Sequence, residues 1–424
     1  MMRWPLPRPR VRLAAVVWAV LVSQVLLYPG LDGLIAALGA PGGIRAGMWF
    51  LVAEVAAFVV FAVVWGAASD SLARRTPLVV VGAVGGAATY LLLPQLPVLG
   101  VGFGGVLLLR AVGGAFTIGA FSLSITMLMD LGGGNGRNMG AAGIAIGLGA
   151  ALGSVVGGQL AAVDPFAPVY AGAVVLVVAG GVAATVGDRV AETGVGDRVA
   201  ESGVGTVDSD ADADLAAPDL GVALATLRAR PSLAVPYAFG FIDRLTAGFF
   251  SLVGVFYFGD VFGLDAAGVG VALALFFLPF ALLQYPLGSL SDRIGRFIPV
   301  VVGSVGYGVA IIAVGVAPTV EVAMALMVLV GVAGAFVAPA TMALVSDLCA
   351  PAERGVAMGG FNVFGSLGFL AGFLLGGSVA DAAGYLTAFL VVGGLEIGIA
   401  VVALPAVRRL TRESSSPTQS PSKV

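Results

Sequence analysis

The stretch GSLSDRIGR, residues 288–296, is a short charged segment set between two long apolar runs. A blurred copy, GAASDSLARR, occupies residues 66–75, about half of the 424-residue chain earlier. A polar hairpin written twice at half-length spacing points to a duplicated unit. The flanking sequence says what kind. Apolar residues make up 59% of the chain and charged ones 11%, with a mean hydropathy of +1.05; soluble domains carry roughly 25% charged residues. This is the composition of a membrane protein, and 64 glycines suit helices that approach one another closely in lipid.

A helix of about 20 apolar residues crosses a hydrocarbon core of roughly 30 Å. Such stretches fall near 13–37, 47–67, 77–95, 99–130, 139–162, 167–187, 232–258, 268–288, 298–316, 320–347, 356–380 and 385–406. The expected fold is all-α, with twelve transmembrane helices in two pseudo-symmetric six-helix bundles. Basic residues set the orientation. Of 21 Lys and Arg, Arg110 and Arg244 sit within spans and Arg45 in the first loop, while the other 18 lie at the termini or in alternate loops. Both termini are therefore expected in the cytoplasm, in a multi-pass protein of the cell membrane. The start MMRWPLPRPRVRLAAVVWAV has the basic-then-apolar order of a signal peptide. Its apolar run is too long for one, and its removal would leave eleven spans, so it is expected to stay.

Between spans six and seven, residues 188–231 carry a tandem nonapeptide, GDRVAETGV then GDRVAESGV, followed by DSDADAD. This reads as a solvated, disordered tether. The expected organisation is a bundle over 1–187, the linker over 188–231, a bundle over 232–406 and a cytoplasmic tail over 407–424.

The two hairpins then hold equivalent places, each joining spans two and three of its own half. Other marks repeat. Span four ends at Asp130, seven residues before Arg137, and span ten at Asp347, seven before Arg354. Span five carries Gly149, Gly153, Gly157 and Gly158; span eleven carries Gly368, Gly372, Gly376 and Gly377. With these marks the chain resembles the major facilitator superfamily over essentially its whole length. That family's loop signature is G-x-x-x-D-(R/K)-x-G-(R/K)-(R/K). The second copy matches it through Gly288, Asp292, Arg293, Gly295 and Arg296. The first keeps Gly66, Asp70, Arg74 and Arg75, with Ser71 and Ala73 in place of a base and a glycine. The resemblance implies two bundles rocking about a central cavity, with gating pairs of Arg74 with Asp130 and Arg296 with Asp347. An Asp in such a turn can also hold the positive N-terminus of a neighbouring helix.

The glycines of span five resemble the family's antiporter signature, with Ser154 where that signature has a proline. The same spacing also serves plain close packing. Resemblance to this branch implies proton-coupled efflux of a lipophilic or drug-like compound. Span four carries RAVGGAFTIGA, in which Arg110 and Gly114 resemble the family's R-x-x-x-G motif. An arginine within a span costs at least about 2.5 kcal/mol, so it lines a cavity or finds a partner. The candidates are Glu54, Asp243 and Asp32, the last beside the helix-weakening Pro29, Gly30 and Gly33. Asp243 falls near mid-depth of span seven, and its neighbour Arg244 points about 100° away on the helix. A carboxylate in a low-dielectric cavity holds a proton more readily, and a nearby Arg opposes this; proton and substrate can then compete for one site. Asp32 is the leading proton site and Asp243 the second, while Glu396 in span twelve reads as a peripheral pairing group.

Other classes fare worse. There is no G-x-x-x-x-G-K-(S/T) loop for an ATP-driven pump. With no histidine and a single cysteine, Cys349, no metal site, cofactor or enzymatic nucleophile–base set is expected. The expected partners are a small-molecule substrate, protons and the lipid bilayer, without nucleic acid, and the expected state is a monomer. The alternative function is uptake or export of a small organic anion drawn to Arg110 and Arg244. A non-transporting receptor of this shape would be expected to carry a large cytoplasmic domain.

Overall fold

The computed structural model describes residues 9–72, 74–131, 135–187, 220–350 and 353–413. The linker up to residue 219, the tail beyond 413 and the side chain of Arg137 lie outside the described residues. The first half comprises α1 (Pro9–Val25), α2 (Leu31–Ala37), α3 (Ile44–Leu72), α4 (Thr76–Leu92), α5 (Phe103–Met129), α6 (Asn135–Val163) and α7 (Ala167–Ala184). A short α8 (Leu220–Ala229) leads into the second half. There follow α9 (Ala234–Phe249), a π-helical turn (Phe250–Gly254), α10 (Val255–Phe262) and α11 (Ala266–Ile294). A second π-helical turn (Ile298–Val302) opens α12 (Gly303–Gly315), before α13 (Val320–Asp347), α14 (Arg354–Ala383) and α15 (Tyr385–Glu413). Among the described residues, eleven helical segments are long and apolar enough to cross a membrane; α1, at 17 residues, is shorter and completes the twelve-helix fold.

The first span differs from the continuous 13–37 helix expected. It ends at Val25, and Leu27 and Tyr28 close the turn onto carbonyls only three residues back. Pro29 has no N–H to continue the ladder, so Asp32 falls in the separate, short α2.

Packing repeats the sequence duplication. In the first half α1 packs on α6, α3 on α5, and α4 on both α5 and α7. In the second, α9 packs on α14, α11 on α13, and α12 on both α13 and α15. Span for span these are the same pairs. The halves meet through α6 against α11 and α3 against α14. Each is the pseudo-symmetric image of the other, as an interface between two copies of one unit requires.

The glycine stripes make these approaches possible. A Cβ on Gly157 would sit 2.2 Å from the Leu26 carbonyl oxygen beyond the end of α1, and one on Gly372 of α14 would sit 2.2 Å from that of Leu245 in α9. Gly149 and Gly153 face α1 more loosely, at 3.3 and 3.1 Å. Gly158 serves the other interface, where a Cβ would lie 2.4 Å from the Ala266 carbonyl of α11. Backbone cannot move aside as a flexible side chain can. Gly157→Ala is therefore expected to destabilise the purified protein by about 1–3 kcal/mol through overpacking, whereas Gly153→Ala should cost less. Thermal unfolding of the two variants in one detergent checks the ranking.

Candidate functional site

Gly114 explains how the charged pair in the first half is assembled. A Cβ there would lie 2.4 Å from the Glu54 carbonyl oxygen, so its absence lets α3 press onto α5 one turn beyond Arg110. The Glu54 carboxylate then reaches the Arg110 guanidinium in a buried ion pair, with both side chains 2% exposed. Of the three candidate partners for Arg110, the one brought to it is Glu54. The guanidinium also lies 4.4 Å from the Phe50 ring centroid and 5.5 Å from that of Tyr90, within cation–π range. Tyr90 is itself fixed by donating to the Ser23 carbonyl at 3.1 Å. Arg110 is thus enclosed and does not present itself to a solute.

Arg244 does. Between Val235 and Gly259 every other residue is buried or half-buried, and Arg244 is exposed. A lipid-facing helix looks different: α15 shows Leu386, Leu390, Val401 and Val402 on its surface. The exposure of Arg244 is therefore into an opening inside the protein. Along α9 the partly open positions are Val235, Ala238, Phe241, Arg244 and Ala247, one helical stripe, and residues 248–258 are all buried. The partly open positions thus lie toward the N-terminal end of α9, and the helix is covered beyond Ala247. On α14 the polar Asn362 and Ser366 are exposed, flanking Gly365, whose Cβ would meet the Arg244 side chain at 3.3 Å. Asn362 and Ser366 went unnoticed in the sequence; a signal existed, since both are polar within an apolar span. Beside Arg244 but turned inward, Asp243 is 6% exposed, and its Oδ1 has no hydrogen-bond partner.

The far end is shut by contacts between the halves. Met48 of α3 meets Gly377 and Ser378 of α14, Ser154 and Gly158 of α6 meet Gly270 and Ala266 of α11, and Gly47 meets Phe256. Asp32 lies here rather than near Arg110. It is exposed, accepts from the Gly43 N–H at 3.3 Å, and lines a cleft of about 350 Å³ that also touches Asp260.

At the terminus-bearing end the hairpins form latches. Gly295 ends α11 with φ +85°, a conformation open to glycine. The chain then turns Arg296 back onto its own helix and onto α13. Arg296 Nη1 donates to Asp292 Oδ1 at 2.5 Å and to Ser291 Oγ at 3.2 Å, and its Nε donates to Asp347 Oδ2 at 3.1 Å. Partial burial works against this charge, but the hydrogen bonds to Asp292 and Asp347 hold the guanidinium protonated more firmly than usual. Gly288 packs closely, its Cβ position 3.3 Å from Pro339, and Arg293 is exposed. In the first copy the base that meets Asp130 is Arg75, not Arg74, which is exposed. Ala73, in the place of Gly295, lies outside the described residues; a Cβ disfavours positive φ, and the pairing base shifts by one. Gly66 is buried, and Asp70 is exposed beside the Ser69 hydroxyl. Ser291 was also missed, although the Ser-Asp pair recurs in both hairpins as Ser69-Asp70 and Ser291-Asp292. Each described latch joins helices of a single half.

Comparison with known proteins agrees with this architecture. The family model for the Major Facilitator Superfamily matches residues 238–424. The fold of the whole chain superposes on the crystal structure of nucleoside transporter NupG with a TM-score of 0.71 and 13% identity, covering 94% of this chain and 99% of that one. The second half of the chain thus matches the Major Facilitator Superfamily, and the fold of the whole is that of the transporter it superposes on. It is 29% identical over 162 residues to an uncharacterized MFS-type transporter of Methanocaldococcus jannaschii, covering 38% of this chain and 42% of that one. It is 30% identical over 118 residues to Multidrug resistance protein 1 of Bacillus subtilis, covering 28% of this chain and 30% of that one. The aligned region thus spans less than half the length of these curated relatives.

Proposed function

We propose that this chain is a major facilitator, a secondary transporter that exports a lipophilic or drug-like solute in exchange for protons. The observation that carries this reading is the opening on α9, where Arg244 is the exposed residue in the otherwise covered stretch from Val235 to Gly259. A polar path that enters from one end and stops at mid-depth is one of the two states alternating access needs. Buried carboxylates near it, Asp243 foremost, can carry the coupling proton. The likeness of part of the chain to a multidrug resistance protein supports the choice of solute. We place the terminus-bearing end in the cytoplasm of a monomer, from the basic residues gathered there. The test is a pH-gradient assay in vesicles holding the purified protein, with lipophilic compounds added one at a time. Dissipation of the gradient by at least one compound, absent from protein-free vesicles, is expected; no dissipation by any, together with ungated solute flux, would overturn proton exchange.

One observation favours a second reading, a small organic anion as substrate. Arg244 is exposed with the polar Asn362 and Ser366 close by, a donor set suited to a carboxylate.

Orientation has its own check. Gly187→Cys, at the end of the first half, should label only from the cytoplasm, and Val98→Cys, which is 83% exposed in the loop after α4, only from outside. The native thiol interferes little: Cys349 is 7% exposed and burial raises its pKa, leaving little thiolate.

The latch gives a kinetic expectation. Arg296 and Asp347 are 19% and 36% exposed, so their pair contributes less than about 1 kcal/mol to stability. If it holds one state of the gate, Asp347→Asn should change the transport rate severalfold while the unfolding temperature stays nearly constant. Equal rates in wild type and variant would leave the latch a passive anchor.

A further inference from the structure

The second half contains a buried polar cluster with no counterpart to Arg110. Glu396 of α15 is 0% exposed, and neither of its carboxylate oxygens has a hydrogen-bond partner. Asp243 of α9 leaves Oδ1 unpartnered, and the Tyr307 hydroxyl and Ser304 Oγ of α12, both on fully buried residues, are unpartnered too. These groups share one neighbourhood. α9 and α12 both pack on α15, which carries Glu396, and Tyr307 is close enough to feel the charge of both Asp243 and Glu396. The space is tight: a Cβ on Gly334 would come 3.1 Å from the Tyr307 hydroxyl, and one on Gly308 would come 3.2 Å from the Glu396 Cβ.

Charge makes the arrangement informative. The nearest cation is Arg244, on the same helix as Asp243 but exposed to the opening. The helices packed around the cluster bring no other compensation. On α13 the charged residues are Glu321 and Asp347, and on α14 they are Arg354 and Asp381, all at helix ends. On α15 the charges other than Glu396 lie at its last turns, from Arg408 onward, and α12 carries none. Two bare carboxylates at this depth would be prohibitively costly. Five unpartnered oxygens in so little space suit a proton better than a metal ion, which needs several ligands around a cavity of its own size. Two of the three helices that supply the cluster are also irregular beside it. The π-helical turn Phe250–Gly254 follows Asp243 and Thr246, and the turn Ile298–Val302 precedes Ser304 and Tyr307. Such turns recur at functional sites.

We propose that Asp243 and Glu396, with Tyr307 between them, form a proton-exchanging site inside the second half, filled from the central opening through Asp243. Asp243 takes a proton from water in the opening, the pair shares it, and its return to water leaves both carboxylates as they began. This deepens the coupled-transport reading and takes its purpose from it, but the site's chemistry stands on the cluster alone.

The test is infrared titration of the full chain in lipid vesicles between about pH 5 and about pH 9, a range spanning perturbed carboxylates. The wild type is expected to show a C=O band of a protonated, water-shielded carboxyl that fades as pH rises. Glu396→Gln, which keeps the side chain's size and removes a buried charge, should lose that band. Tyr307→Phe should keep the band and shift it, and Asp243→Asn should change its titration midpoint. A band that persists in Glu396→Gln, or one that does not vary with pH, overturns the proposal. So does its loss on adding sodium at constant pH, which would make the site one for an alkali cation. No substrate is needed, so a titrating band beside a silent vesicle assay would count against proton-coupled transport and leave the site standing.

Discussion

Glu54→Gln is expected to remove about 3–5 kcal/mol of stability, because it leaves the Arg110 guanidinium buried without its counter-charge. The amide keeps the volume of the carboxylate, so packing between α3 and α5 is preserved and the loss isolates the charge. Phe50 and Tyr90 remain over the guanidinium, but rings offset only about 1–2 kcal/mol of it. Arg110→Lys should fall between wild type and Glu54→Gln, since lysine keeps the charge and loses the planar fork. The double variant Glu54→Leu with Arg110→Met tells structure from function. Apolar replacement of a whole buried pair is commonly neutral or stabilising, so its unfolding temperature should return to or exceed that of the wild type. Transport by that folded variant would reduce the pair to a structural tie; its absence would give the pair a part in the cycle. A Glu54→Gln variant as stable as wild type would mean another carboxylate reaches Arg110.

These expectations rest on contacts that the sequence revealed unevenly. The twelve spans, the duplication and the Arg296–Asp347 latch were legible because each leaves a one-dimensional trace: hydropathy, a half-length offset, a spaced signature. Arg110 was flagged by its cost in a bilayer, yet three carboxylates were open to it. The choice of Glu54 depends on how closely α3 approaches Gly114, a distance that no pattern within either helix encodes. Asp32, the leading candidate for the proton site, was misplaced in depth for a related reason. Averaged hydropathy runs smoothly through Pro29 and Gly30, whereas the hydrogen-bond ladder stops before them. Glu396 read as peripheral because outer helices commonly face lipid, but its own side chain turns inward to a fully buried position. Aromatic residues such as Phe50, Tyr90 and Tyr307 were invisible as site groups among the many apolar residues around them.

Arg244→Gln is expected to alter what the opening accepts without altering the fold. The side chain is exposed, so its removal costs little packing, and it forms no described ion pair that would be broken. At about 5 Å from a unit negative charge, with an effective dielectric constant of roughly 40 in a hydrated opening, it contributes about 1.7 kcal/mol, somewhat more than tenfold in affinity. A neutral solute feels little of this. The measurement compares transport of a small carboxylate dye with that of its methyl ester, nearly the same shape without the charge. If Arg244 selects for anions, the variant should lose about tenfold for the dye and less than twofold for the ester, and Arg244→Lys should recover most of the difference. Equal losses for both dyes would assign the residue to the shape of the opening or to the conformational change. No loss for either would remove Arg244 from the substrate path, and with it the case for an organic anion over a neutral, lipophilic cargo.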